Sequence, residues 1–343
     1  MADQPNSEER SVSPKFFGSF IHDTSFLGNI GGTVDLLLIY FRDGLTDDQL
    51  SILRGIGDQL TAVQKTRDEI GAELTGIDNL PVSALVQRVD MVTAPLIPIS
   101  EDAKFLLEGQ NLSEQQRELL EIIPRTIRMT LDYKGEIVLY SDILDGKAEP
   151  RIEVVNIFDA VDEALDFMGA KTGDGKITIK DRHCQSIKQL VYKSEPYIGR
   201  EKVDPVMVSA DRVMTRKIVH NLLSNAGKYS YWTDDVALDT NQSEGTVLFS
   251  VENCCEEVIP PELHERVFEP SYRLPGTEAQ GTGMGLYFVR RMVELQGGRI
   301  YVESGRRDRT SLNLKWEKIV EKGQGHPYAR FSFMLPAGSK PNI

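Results

Sequence analysis

Cysteine is scarce in this 343-residue chain, and the three present, Cys184, Cys254 and Cys255, have no metal-ligand spacing. Adjacent cysteines seldom bond to each other, so the thiols read as reduced and a disulfide framework is excluded. The five histidines are scattered, which leaves no zinc signature. Basic charge is in deficit: 39 Lys and Arg stand against 52 Asp and Glu, a formal net charge of −13. Neutralising a phosphate backbone needs a basic surface, so nucleic-acid binding is excluded and the expected partners are proteins. No apolar run reaches the roughly 18–20 residues that span a bilayer, and the start, MADQPNSEERSVSP, is polar and unlike a signal peptide. The expectation is a cytoplasmic protein with no membrane insertion.

A hydrophobic content of 40% is enough for two or three domains with real cores. Residues 1–13 read as a disordered tail. From Pro14 to about Phe41, Phe17, Phe20, Ile21, Leu27, Ile30, Val34, Leu37 and Leu38 recur at helical intervals, and Asp43-Gly44 ends the segment. Thr46 and Gln49 have capping-box spacing for a second helix reaching about Leu74. The hairpin over 14–75 would by itself leave a broad apolar stripe wet, so pairing with a second copy into a four-helix bundle, a homodimer, is expected. Residues 76–148 hold further helical material. Ser113 and Gln116 repeat the capping-box spacing before a helix to about Leu144, where Pro124 should introduce a kink. LTDDQLSILRGI (45–56) and LSEQQRELLEII (112–123) look alike, which suggests a duplicated hairpin whose second copy has no histidine. An α/β segment follows over 149–338, with a short tail at 339–343.

Two stretches carry the chemistry. In HNLLSNAGKYS (220–230), Asn221 and Asn225 are four apart on a helix whose apolar positions are Val219, Leu222, Leu223 and Ala226. Both amides leave one face, and an amide oxygen is a hard neutral ligand suited to Mg2+ partly neutralised by phosphates. In GTGMGLYFVRRMVELQGGRIYVES (281–304), Gly281, Gly283 and Gly285 precede a helix with apolar positions Leu286, Val289, Met292 and Val293. Free backbone N–H groups gathered at a helix N-terminus form an anion cradle.

These motifs, with PPELHERVFEPSYR (260–273) between them, resemble the N box, F box and glycine box of sensor histidine kinases. That family belongs to the wider superfamily of gyrase, Hsp90 and MutL ATPases, and the match covers about Arg151 to Pro336. The resemblance implies an α+β chain: a helical hairpin in a dimeric four-helix bundle, followed by a two-layer α/β sandwich that binds ATP and Mg2+. It implies that Asn225 holds Mg2+, that Lys228 and Tyr229 border the phosphates, and that Gly281, Thr282, Gly283, Gly285 and Leu286 cradle them. Arg273, at the end of the F box, is the candidate charge contact to ATP. Asn221 falls where the superfamily's hydrolases carry a glutamate base; an amide cannot take that proton, so hydrolysis of ATP should be slow.

His22, followed by Asp23, resembles the phospho-acceptor box of these kinases. The imidazole would attack the phosphoryl group, and Asp23 would orient the ring or take up its proton. The residues after Asp23 depart from the family's pattern. Phe26 stands where a Thr or Asn usually places a water, which implies poor phosphatase activity by that route. The family's Asp-x-Gly-x-Gly turn is missing as well: the strand VLFSVEN (247–253) runs into CCEEVIPPE. Asn253 is the substitute expected to contact adenine, with Glu252 second, and side chains at Cys254 and Cys255 should narrow the adenine pocket. The implied partners are a response regulator and an upstream sensor or input protein. A nucleotide-free histidine phosphotransferase or scaffold is the alternative favoured by the altered turn; an anti-sigma-type serine kinase is a third reading. The insertions at 182–204 and 305–329 read as long loops.

Overall fold

The computed structural model describes residues 11–12, 25–77, 80–168, 171–173, 176–180, 187–193, 195–230, 235–274, 283–307 and 325–338. The chain divides into two compact units, Met1–Ala148 and Glu149–Ile343.

The first unit begins with β1 (Ser11–Val12) and continues through α1 (Ser25–Ile39), α2 (Asp47–Leu74), β2 (Leu80–Pro81), α3 (Val82–Thr93), α4 (Leu96–Leu107) and α5 (Glu114–Leu144). Ser11 and Val12, expected in a disordered tail, pair antiparallel with Pro81 and Leu80. Both capping boxes form. Gln49 N–H donates to Thr46 Oγ1 at 3.2 Å while Thr46 N–H donates to Gln49 Oε1 at 2.8 Å, and Ser113 and Gln116 do the same at 3.2 and 2.8 Å. α5 remains a single helix through Pro124. The helical material ahead of Ser113 is two helices, because Pro95 supplies no N–H and its ring opposes continuation, so the chain stops at Thr93 and restarts at Leu96.

Among the described residues the main apolar stripe of the first hairpin is dry. Leu27, Ile30, Val34 and Leu37 of α1 and Leu53, Ile56 and Leu60 of α2 are buried within this one chain. α1 packs on α5 and α2 on α4, so the chain's own second pair of helices covers the face for which a second copy was expected. The four-helix arrangement is therefore intramolecular. Burying each such aliphatic side chain stabilises the bundle by roughly 1.5–3 kcal/mol.

The second unit runs β3 (Ile152–Asn156), α6 (Ile157–Phe167), β4 (Lys171–Gly173), β5 (Lys176–Lys180), β6 (Ile187–Tyr192), β7 (Glu195–Pro196), β8 (Met207–Asp211), α7 (Arg212–Tyr229), β9 (Val236–Ser243), β10 (Thr246–Cys254), α8 (Gly285–Leu295), β11 (Arg299–Arg307) and β12 (His326–Pro336). Strands β11-β12-β10-β9-β6-β5-β4 form one sheet, with β7 beside β6; β3 and β8 pair separately. β6 lies parallel to β9, and the other pairings are antiparallel. Alternation along β10 turns Val247, Phe249 and Val251 to the core, opposite Leu335, Phe333 and Phe331 of β12. Helices α6, α7 and α8 supply the facing layer through Phe158, Leu165, Ile218, Leu222, Phe288 and Met292. The result is a two-layer α/β sandwich.

The other side of β10 and β12 is polar yet enclosed. Ser250 and Ser332 hydroxyls lie 2.9 Å apart, and Arg330, 6% exposed, donates to Asp239 at 3.0 Å. The insertion at 182–204 is not a plain loop. It contains β6, whose Leu190 is fully buried opposite Val236, and Tyr197, whose hydroxyl donates to Asp162 at 2.6 Å. A strand of six residues is too short for its alternation to stand out. Likewise β11 and β12 extend into the segment 305–329 as far as Arg307 and from His326.

Candidate functional site

The site is built where α7, the end of β10 and the start of α8 meet. α7 starts at Asp211, whose Oδ1 accepts from Met214 N–H at 2.8 Å and whose Oδ2 accepts from Arg151 N–H at 2.7 Å. Asp211 N–H in turn donates to Gln296 Oε1 at 2.7 Å, and Gln296 Nε2 donates to Met292 O at 2.8 Å. The N-terminus of α7 is thereby fastened to the C-terminal end of α8. Gln296, 4% exposed, gives no sign of this role in sequence, whereas Asp211 stands in an ordinary helix-starting position.

Val219, Leu222, Leu223 and Ala226 of α7 are buried, as the apolar periodicity anticipated, and Met214 and Ile218 are buried with them. Asn221, Asn225 and Lys228 lie at i, i+4 and i+7 on an adjoining, half-buried face, and Tyr229 is 37% exposed at the helix end. Asn221 Nδ2 donates to Lys217 O at 3.0 Å, which turns its amide oxygen outward. That oxygen faces α8: a Cβ placed on Gly285 would stand 2.9 Å from Asn221 Oδ1. The two sequence boxes, about sixty residues apart, thus touch through a glycine.

Gly285 opens α8, whose N-terminus carries no side-chain cap. Just before it, Gly283 holds φ +71°, and a Cβ there would lie 2.7 Å from both Ser271 C and Tyr272 O. The backbone of the glycine box therefore rests directly on the last residues of the F box. Arg273, next in the chain, is exposed. Leu286 turns its side chain to an apolar cluster of Ile259, Val267, Phe268, Val302 and Ala329, so any contact it makes with a ligand is by backbone. Gly281 and Thr282 lie outside the described residues, as do His22 and Asp23.

Asn253 is 4% exposed on the same face of β10 as Phe249 and Val251, the face on which α7 packs. Its Nδ2 donates to Cys254 O at 2.9 Å. Glu252 points the other way, opposite Arg330 on the polar side of the sheet, because successive strand residues alternate. The second choice for an adenine contact thus leaves the face of the sheet opposite to that of Asn253. Beyond the strand, Cys255 N–H donates to Pro327 O at 3.0 Å, and its side chain packs against the same apolar cluster as Leu286. Burial pushes the Cys255 thiol up to about 12, while the Arg306 guanidinium pulls it the other way.

An amide-bearing helix face, a lysine at its end and a helix N-terminus with glycine at the point of contact are groups whose chemistry suits an anion accompanied by a hard cation. Residues 210–325 match the family model described as histidine kinase-, DNA gyrase B-, and HSP90-like ATPase. Among curated proteins, the chain is 33% identical over 195 residues to histidine protein kinase DivJ of Caulobacter vibrioides, covering 56% of this chain and 30% of that one. It is 26% identical over 221 residues to alginate biosynthesis sensor protein KinB of Pseudomonas aeruginosa, covering 61% and 33%. It is 26% identical over 211 residues to hybrid signal transduction protein dokA of Dictyostelium discoideum, covering 59% and 12%. The chain spans a third or less of the length of these relatives. Among the described residues no helix is long and apolar enough to cross a membrane. Over residues 210–325 the chain carries a domain of the histidine kinase, DNA gyrase B and HSP90 ATPase family.

Proposed function

We propose that this chain is an ATP-dependent protein histidine kinase that phosphorylates its own His22 and passes the phosphoryl group to an aspartate of a response regulator. The observation that carries the reading is the meeting of Asn221 with Gly285, which brings the amide face of α7 to the N-terminus of α8. Asn225 would hold Mg2+, Lys228 would add positive charge to the phosphates, and the backbone from 281 to 285 would line them. Asn253, on the core face of β10, would meet adenine, and Tyr229 and Arg273 would border the nucleotide from the exposed side.

In the reaction, a ring nitrogen of His22 forms a bond to the γ-phosphorus as the bond to the β,γ-bridging oxygen breaks, and ADP leaves. Asp23 takes up or orients the ring proton. An aspartate oxygen of the response regulator then displaces the imidazole. Asn221 has no basic lone pair with which to activate water, so the phosphoryl group is held for histidine. Residues 149–338 act as the ATP-binding part and residues 14–75 as the acceptor hairpin. The stimulus arrives from an upstream sensor or input protein, and the reactions take place in the cytoplasm.

The test is incubation of the purified protein with γ-labelled ATP and Mg2+, beside His22→Ala and Asn225→Ala. Acid-labile, alkali-stable label in the native chain and none in either variant is expected. No label together with no ATP binding would overturn the reading in favour of a phosphotransferase built on a kinase fold.

A further inference from the structure

The helices of the first unit repeat. Along α1 and α4, buried residues correspond at a spacing of 69: Leu27 with Leu96, Ile30 with Ile99, Leu37 with Leu106. Along α2 and α5 the spacing is 67: Gln49 with Gln116, Leu53 with Leu120, Ile56 with Ile123. The two spacings differ because Leu37 and Gln49 are 12 residues apart whereas Leu106 and Gln116 are 10 apart. The first helix of each hairpin packs on the second helix of the other, α1 on α5 and α2 on α4, which is the pattern of an isologous interface.

The polar contacts follow the same exchange. Gln116 Nε2 donates to Phe41 O at 2.7 Å and Asp43 O at 3.0 Å, both in the loop of the first hairpin. Gln49 Nε2 donates to Asn111 Oδ1 at 3.0 Å in the loop of the second, and Asn111 Nδ2 returns to Gly44 O at 2.7 Å. Each hairpin's capping glutamine grips the other hairpin's turn. Chance similarity of helix starts would not give reciprocal contacts of this kind.

We propose that residues 25–144 are tandem copies of one hairpin that together replace the two subunits of a bundle dimer, so that the protein works as a monomer with a single acceptor histidine. The acceptor part rests on the function proposed above; the fused bundle does not. A second chain could supply the same interface only by displacing α3–α5, whose apolar residues would then be exposed. Carried back along the sequence, the spacing of 69 aligns Met91 with His22, and Met91 is 56% exposed. A thioether is no phosphoryl acceptor, so the second copy keeps the packing role and has no acceptor. With one acceptor and one ATPase unit per molecule, transfer runs within a single chain.

Light scattering on the full chain, over a wide range of concentration, should give the monomer mass of 38.5 kDa, with a thermal midpoint independent of concentration. Twice that mass, or a midpoint that climbs with concentration, overturns the fused bundle. In parallel, His22→Ala and Asn225→Ala are mixed and given γ-labelled ATP. No label in the mixture, with full label in the native chain, is expected; label restored by mixing overturns transfer within one chain. If the native chain itself takes no label, the kinase reading fails while the mass and melting data still decide the bundle.

Discussion

Asn221 and Gly285 approach so closely that a methyl group on residue 285 would stand 2.9 Å from Asn221 Oδ1. The asparagine cannot simply turn aside, because its Nδ2 is committed to Lys217 O at 3.0 Å. Alanine is otherwise a better helix former than glycine, so Gly285→Ala should leave thermal stability within about 1 kcal/mol of the native value. Its effect should fall on the ligand. Affinity for a non-hydrolysable ATP analogue with Mg2+, measured by calorimetry, should drop about tenfold, or ~1.4 kcal/mol. Native affinity in this variant would remove the contact from the site.

Two residues earlier the balance reverses. Gly283 combines φ +71° with a Cβ position 2.7 Å from Ser271 C and Tyr272 O, and those neighbours are backbone. Neither the strain nor the overlap can be relieved by a rotamer change. Gly283→Ala should cost about 1–3 kcal/mol in a denaturant melt of the second unit, before any nucleotide is added. A melt identical to native would mean that the glycine box is not clamped on Tyr272.

Cys255 gives this unit an alkaline dependence. Burial, opposed by Arg306, raises its thiol from an ordinary 9.0 to about 12. The stabilisation from keeping the thiol protonated is complete below pH 9 and is lost as pH rises through 12, since the unfolded chain releases its proton first. Stability should therefore fall between pH 9 and 12, and less steeply in Cys255→Ala. At pH 8, iodoacetamide should modify Cys255 in the native protein on the order of a hundredfold more slowly than in urea, read by peptide mass spectrometry. Equal rates would contradict a thiol shielded by the fold.

The helical half was written plainly in the sequence where local signals suffice. Thr46 with Gln49 and Ser113 with Gln116 predicted both capping boxes, and the ends at Leu74 and Leu144 fall where expected. The partner of the first hairpin was not legible, because an apolar stripe shows that something covers it and never which chain provides the cover. In the second unit the spacing of Asn221, Asn225 and Gly285 pointed to the helix face and helix start that the fold brings together. That Asn253 and Glu252 leave opposite faces of β10 follows from strand alternation alone, whereas which of those faces is the core needed the fold. Gln296 was invisible, since its bond to Asp211 depends on tertiary packing of α7 against α8. The strand β6 was hidden by its length of six residues.

Gln116 combines both levels of the first unit, local and long-range, and is only 2% exposed. Its oxygen accepts from Ser113 N–H at 2.8 Å, and its nitrogen donates to Phe41 O and Asp43 O at 2.7 and 3.0 Å. Gln116→Ala should cost about 2–3 kcal/mol, from a lost cap and two carbonyls left without a donor. Gln116→Glu separates the two contributions. Glutamate serves as well as glutamine in a capping box, but here it sets a second oxygen against two carbonyl oxygens. It should therefore be worse than alanine at pH 7 and recover at acid pH, where the protonated carboxyl regains one donor. Denaturant melts followed by the helical circular dichroism signal give the comparison. If Gln116→Glu melts like the native protein, the glutamine only caps its own helix and the hairpins are not joined through it.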